Sequence, residues 1–237
     1  MIRAALALVA ALALAGCETT EQESAAIAKR LGDRTAAPQQ TTITSANHAI
    51  EVLRAAIVHT RSGTAAAIEL RNTTASAQVD VPIVITAYDA AGKAVYSNDT
   101  IGTASPSGEL SLLGAHATAW WVDANVFASG GVPVRVTARL GASSGAAAAA
   151  GTIGAGELAG GSNFAGPFIA GTAIDSGSAE ADATVYVVAL RDGRVVAAGQ
   201  GLIPSLAAHG STAFQATVVG SASRARLEAT IVPAHLS

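Results

Sequence analysis

Apolar and polar residues alternate in many short runs of this chain. In the run 79–85, valine or isoleucine occupies every second position, which is the period of a β-strand. Val185 and Val187 repeat the alternation further along. Short strands at this spacing, with no long amphipathic helix between them, predict an all-β fold of antiparallel sheets.

The strands are arranged in an internal repeat with a period of roughly one hundred residues. VDVPIVITAYDAAGKAVYSND in the first copy corresponds to AEADATVYVVALRDGRVVAAG in the second, with tight turns at Gly92 and Gly193. Downstream, LLGAHATAWWV aligns with LAAHGSTAFQA. We therefore expect one domain at 45–141 and a second at 150–237, joined by a linker at 142–149.

The residues before the first of these turns resemble a known family. The letters ITAYD precede Gly92, and a Gly/His turn followed by an aromatic strand comes later. This pattern resembles the FxLYD class of bacterial envelope domains. The resemblance implies two tandem antiparallel immunoglobulin-like β-sandwiches, and it carries over no catalytic residues. In the second copy, Leu190 and Arg191 stand where the first has Tyr and Asp.

The chain starts with a segment typical of export signals. Arg3 is followed by small and apolar residues as far as Gly16. This run is shorter than the about 20 residues that span a bilayer, and a charged start before a short apolar run is typical of a signal peptide.

The motif LAGC ends at Cys17, the sole cysteine of the chain. It resembles the lipobox of bacterial lipoproteins, which implies removal of a signal peptide at 1–16 and diacylation of the Cys17 sulfur. Stable anchoring takes two acyl chains or more, and a diacylated cysteine supplies them. The resemblance implies a protein anchored on the extracytoplasmic side of the membrane. Glu18 favours the outer membrane in a Gram-negative cell, whereas a Gram-positive cell offers its plasma membrane. The alternative is an ordinary secretory signal.

Residues 17–44 are expected to form a partly helical tether. Thr20 and Glu23 have capping-box spacing, and good helix formers follow from Ala25 to Leu31. The polar, unpatterned stretch after this short helix is typical of a spacer between a membrane and a folded body.

The charge balance disfavours nucleic-acid binding. The chain has 14 Lys and Arg against 17 Asp and Glu, a formal net charge of −3, and no basic patch stands out along the sequence. With Cys17 acylated, no disulfide can form, so the core alone must hold the fold together.

One serine motif calls for a hydrolase interpretation. GASSG places Ser143 in a G-x-S-x-G pattern. Its possible partners in chain order are Asp182 or Asp192, then His209 or His235. That motif works on a parallel α/β sheet with crossover helices, which this sequence does not predict. We therefore expect no enzyme activity, and a serine hydrolase at Ser143 is the least favoured alternative.

The five histidines lack the spacing of zinc or copper sites, so we expect no metal and no cofactor. His116 and His209 occupy equivalent positions of the repeat, which indicates a turn.

Two adjacent tryptophans should point to opposite faces of a strand. Trp120 aligns with Phe214 and is expected in the core, whereas Trp121 aligns with Gln215 and is expected outside. An outward Trp121 is a candidate contact for an envelope protein partner, since tryptophan is enriched at binding hot spots. The alternative is that Trp121 packs against the neighbouring domain or an edge loop.

These patterns predict a non-catalytic, lipid-anchored envelope protein that acts as a binding or scaffolding module. The alternative function is a carrier of a small molecule or a metal, held in the groove between the two domains.

Overall fold

The computed structural model describes residues 42–100, 108–145, 153–177 and 181–234. These residues contain fourteen β-strands and no α-helix. Every strand pairing is antiparallel, so the predicted all-β antiparallel class is confirmed. In these ranges no helix is long and apolar enough to cross a membrane. The predicted signal peptide and the predicted tether helix lie outside the described residues.

The strands follow the chain as β1 Ile50–Thr60, β2 Gly63–Asn72, β3 Gln78–Tyr88, β4 Ala94–Ser97, β5 Glu109–Leu113, β6 Thr118–Asp123, β7 Arg135–Leu140, β8 Ile153–Ala155, β9 Ala159–Asn163, β10 Gly166–Asp175, β11 Ala181–Arg191, β12 Arg194–Leu206, β13 Ser211–Gly220 and β14 Arg226–Pro233.

The first copy of the repeat forms two sheets. One has the order β1-β2-β6, and in the other β3 pairs with β4, β5 and β7. The central strand β2 contains four consecutive residues with no exposed surface, Ala65 to Ile68. A strand buried on both faces is expected to be continuously apolar. The β1-β2-β6 sheet is therefore a middle layer, covered on one face by β3 and its neighbours and on the other by the second copy.

The second copy forms a single sheet of seven strands, in the order β14-β11-β12-β13-β10-β8 with β9 paired to β10. Its pairings repeat those of the first copy: β10–β13 corresponds to β2–β6, and β11–β14 corresponds to β3–β7. The second copy adds a pairing between β12 and β13. This pairing joins into one sheet the two strand groups that form separate sheets in the first copy. Gly199 permits this close approach, because a Cβ there would lie 2.0 Å from the carbonyl oxygen of Thr217.

Two separate immunoglobulin-like sandwiches are therefore not confirmed. The seven-stranded sheet rolls until β8 lies alongside β14, and it encloses a core that includes Val185, Val187 and Phe214. Its opposite face, with Tyr186 and Val188, joins the core of the first copy. All described residues belong to the unit Gln40–Ser237, and the domain boundaries at 141 and 150 stay predictions.

The described part of the predicted linker is fixed to the first copy. The backbone N–H of Ala142 donates to Ser45 O at 3.0 Å, and that of Ser144 donates to Val79 O at 3.0 Å. Residues 142–145 thus continue β7 along the start of β3, while 146–149 lie outside the described residues.

Candidate functional site

Both tryptophans of β6 are buried, and the prediction that Trp121 points outward is wrong. Trp121 has no exposed surface and Trp120 is 3% exposed. The two side chains do point to opposite faces, as alternation requires. Each face is covered, however, because β6 belongs to the middle layer. A buried Trp121 cannot serve as an exposed contact for a partner protein.

Trp120 is the residue that meets the second copy. Its indole N–H donates to Glu228 Oε2 at 2.7 Å, and its backbone N–H donates to Thr230 Oγ1 at 2.8 Å. The Arg54 guanidinium lies 5.7 Å from the centroid of the Trp120 ring and donates to the carbonyl oxygen of Gly193 at 2.8 Å. These polar contacts fix the seam, the boundary along which β1 and β6 meet β11, β12 and β14.

His116 and His209 are turn residues, as the repeat indicates. Their φ angles are 52° and 51°, in the left-handed region, and their backbone N–H groups donate to Thr74 O and Gly177 O respectively. Among the described residues, no group of three or more His, Cys, Asp or Glu side chains is placed to hold a metal ion.

The Ser143 hydroxyl contacts backbone atoms of β3. Its Oγ accepts a hydrogen bond from the N–H of Val79 at 2.7 Å and lies 2.7 Å from the carbonyl oxygen of the same residue. Within the described ranges, no hydrogen bond joins Ser143 to a histidine, and Asp182 Oδ1 accepts from the backbone N–H of Ser205. His235 lies outside the described residues. Ser143 therefore holds a chain segment in place.

A cavity of about 340 Å³ opens where the seam reaches one end of the strands. The β1–β2 hairpin, the segment 124–133 and Val219 of β13 line it. His59 Nδ1 and Thr64 Oγ1 lie 2.7 Å apart on its wall. Val219 is the lining residue that belongs to the second copy, so the seam cavity lies at the edge where the two copies meet.

The segment 124–134, here called the rim loop, exposes large apolar side chains beside the seam cavity. Phe127 is 73% exposed, Val132 55% and Val134 58%. The loop is nevertheless held in place, since Ser129 N–H donates to Val95 O and Val134 N–H donates to Tyr88 O. Exposed apolar side chains on a fixed loop are typical of a contact surface.

A buried polar pair supports the start of the rim loop. The Tyr96 hydroxyl donates to Asp123 Oδ2 at 2.6 Å, and Asp123 Oδ1 accepts from the backbone N–H of Asn125 at 2.9 Å. Asp123 has no exposed surface. Burial, together with the negative charge of Asp123, raises the pKa of Tyr96 well above its ordinary value.

No family model matches the chain, and no match was found among curated proteins or solved structures.

The rim loop is the feature that sequence reasoning missed. Its letters ANVFASGGVPV combine apolar residues with Gly and Pro, which indicates a loop rather than a strand. That combination is the signal that could have identified an exposed apolar surface.

Proposed function

We propose that this chain is a non-catalytic, lipid-anchored binding module of the cell envelope. Acylated Cys17 holds it at a membrane surface, and the folded unit makes its contacts through the rim loop. The observation that carries the binding part of the proposal is the exposure of Phe127, Val132 and Val134 on a fixed loop beside the seam cavity. The resemblance to FxLYD envelope domains supports the same location.

The exposed side chains favour binding over a purely structural role. A Phe side chain gains about 1.5–3 kcal/mol when fully buried, so leaving it in water forgoes that gain. Hydrogen bonds to the neighbouring β3 and β4 strands fix the rim loop, and a fixed loop loses little further entropy on binding.

Acylation is tested by growing cells with an alkyne-bearing palmitate and comparing wild type with Cys17→Ser. We expect the label and the membrane fractionation of the protein to be lost in the variant. Retention of the label in Cys17→Ser, or unchanged fractionation, would contradict the anchor.

The contact surface is tested by placing a photo-crosslinking amino acid at Phe127 in living cells. Leu202 on β12 is the matched control, because both side chains are 73% exposed. We expect defined adducts from position 127 and none of them from position 202. The same adduct profile at both positions would exclude the rim loop as the specific surface.

A small apolar ligand is the second candidate, and the seam cavity favours it. Its volume of about 340 Å³ is just above about 300 Å³, the lower limit for pockets that bind small molecules. Native mass spectrometry of the protein purified from membranes should show an added mass, and Val219→Trp should abolish it by filling the cavity. An added mass that persists in Val219→Trp, or no added mass in wild type, would exclude this candidate.

A further inference from the structure

The charged side chains are divided between the two ends of the strands. Among the described residues, seven of the ten Lys and Arg side chains lie at the end where the rim loop is, and all seven are exposed. We call this the basic end, and it comprises Arg61, Lys93, Arg135, Arg191, Arg194, Arg224 and Arg226. The acids here are Asp89, Asp192, Glu228 and the buried Asp123.

The opposite end has the reverse balance. Four acids lie at it, namely Glu51, Asp80, Asp175 and Asp182, whereas Asp99 and Glu109 lie beside the middle of β3. Arg71 lies at this end within 4 Å of Glu51, and Arg139, which pairs with Val84 near the middle of β3, lies within 4 Å of Asp99. The formal net charge of −3 for the whole chain therefore conceals two ends of opposite sign.

Strand pairing places the seven cations at the same end within each copy. In the first copy, Arg135 begins β7 opposite Tyr88, the last residue of β3. In the second copy, Arg191 pairs with Arg194 across the hairpin, and Arg226 begins β14 opposite Leu190. These residues lie at turns or at strand ends next to turns, and all are exposed. Arg135 stacks on the Tyr88 ring at 4.1 Å, and Arg226 forms an ion pair with Glu228.

Contacts across the seam align the two copies in the same direction. A Cβ on Gly63, at the β1–β2 turn, would lie 3.4 Å from Val219 near the end of β13. Ser111 of β5 donates to the carbonyl oxygen of Pro233 at the other end. The turn ends of both copies therefore lie toward the same end of the folded unit.

Two exposed aromatic side chains lie at this same end. Phe127 lies on the rim loop, and Phe164 lies in the β9–β10 turn with its whole side chain exposed. The pairing of Phe168 with Thr217 places the start of β10 beside the end of β13, where Val219 lines the seam cavity. Exposed aromatic rings thus accompany the seven cations.

We propose that the basic end binds the surface of an anionic lipid bilayer directly. Lys and Arg are attracted to anionic headgroups, and the two Phe side chains insert among the acyl chains. A soluble polyanion would use the cations but would offer no apolar medium for Phe127 and Phe164. The inference rests on the proposed function as a binding module, and it names the partner as lipid.

The anchor permits this contact even though the folded unit starts at the other end. Residues 45–47 pair with the end of β7, at the acidic side. The 11 residues of β1 span about 36 Å at about 3.3 Å per residue. Residues 18–41 can reach at most about 80 Å, which exceeds the length of the strands. The basic end can therefore meet the bilayer that holds Cys17.

The test measures sedimentation of the acyl-free chain from residue 17 to 237, carrying Cys17→Ser, with lipid vesicles. This chain keeps the whole unit Gln40–Ser237 and both cores. We expect binding to vesicles of phosphatidylcholine with phosphatidylglycerol, little binding to phosphatidylcholine alone, and release by high salt.

Paired variants separate the two components of binding. Arg61→Ala with Arg194→Ala should weaken the partition constant about 25-fold, since each basic side chain near the surface contributes about five-fold. Arg71→Ala with Arg139→Ala is the charge-matched control away from the basic end and should change the partition constant less than about two-fold. Phe127→Ser should weaken binding about tenfold, and Leu202→Ser is its control. Circular dichroism checks that every variant folds.

Equal binding to neutral and anionic vesicles, or equal effects of the variants and their controls, would overturn the proposal. A heparin column distinguishes the other anionic partner. Binding to heparin with unaltered affinity in Phe127→Ser, and no binding to vesicles, would show a polyanion site instead of a lipid surface. Because the chain carries no acyl group, these outcomes are independent of the palmitate experiment. If position 127 gives defined protein adducts and the chain does not bind vesicles, the proposed function as a binding module stands and the lipid surface is rejected as its partner.

Discussion

The indole N–H of Trp120 donates to the Glu228 carboxylate at 2.7 Å, across the seam between the two repeat copies. The same carboxylate lies 2.7 Å from Arg226, so the tryptophan joins an ion pair of the second copy. Trp121 is the next residue, and its indole N–H has no hydrogen-bond partner. The two neighbours are both buried, and they differ in whether the indole N–H has a hydrogen-bond acceptor.

A double-mutant cycle measures how much the hydrogen bond between Trp120 and Glu228 contributes to the free energy of unfolding. Trp120→Phe combined with Glu228→Gln should show a coupling free energy of unfolding of about 1 kcal/mol, because a hydrogen bond to a charged group is lost. Trp121→Phe combined with the same Glu228→Gln should show coupling near zero. Urea denaturation followed by far-ultraviolet circular dichroism provides the free energies. Equal coupling for the two tryptophans would mean that Trp120 contributes only packing.

The Trp pair also shows where sequence reasoning ends. Alternation along β6 is a local property, so opposite faces could be predicted for Trp120 and Trp121. Burial of both depends on a third layer contacting the middle sheet, and the sequence of β6 does not contain that information. The alignment of Trp121 with Gln215 misled for this reason: β6 belongs to the middle layer and β13 does not.

Turns were predictable because their chemistry is local. Asp192 and Gly193 both have positive φ, as the Asp-Gly pair of a hairpin requires, and Gly92 has positive φ in the equivalent turn. The basic end was not predictable, since its cations are far apart in the chain. Only strand direction and the contacts across the seam bring Arg61 and Arg194 to the same end of the folded unit.

The close approach of β12 and β13 predicts a strict need for glycine at one position. Gly199→Ala should lower the free energy of unfolding by about 3 kcal/mol or more, because the new Cβ would collide with the Thr217 carbonyl oxygen. Gly145→Ala is the control, since a Cβ there meets nothing within 4 Å and its φ is not in the left-handed region. Thermal and urea unfolding provide the measurement. If Gly199→Ala lowers the free energy of unfolding as little as Gly145→Ala does, the close pairing of β12 with β13 is contradicted.

Ser143→Ala should reduce stability by about 1 kcal/mol, because the hydroxyl that bonds to the Val79 backbone is lost. A fluorophosphonate probe should not label the wild-type protein, since the hydroxyl serves the backbone. Urea unfolding and gel fluorescence check the two statements. Labelling of wild type that disappears in Ser143→Ala would establish the hydrolase alternative and would contradict a non-catalytic protein.

The Tyr96–Asp123 pair predicts a loss of stability in alkali. The pKa of Tyr96 is raised in the folded protein by burial and by the Asp123 charge, whereas the unfolded chain has the ordinary value of about 10. The favourable contribution of the pair is therefore complete below about pH 10. Above that pH the unfolded state releases the Tyr96 proton while the folded state retains it, so the free energy of unfolding falls as the pH rises.

Tyr96→Phe removes the titrating hydroxyl and tests this pH dependence. The variant should be less stable than wild type by about 1–3 kcal/mol near neutral pH, because the buried Asp123 loses a donor. The difference should narrow above about pH 10, as wild type loses the contribution that the variant never had. Urea midpoints measured across this range give both quantities. A stability difference that stays constant or widens in alkali would show that the Tyr96 hydroxyl does not retain its proton in the folded state.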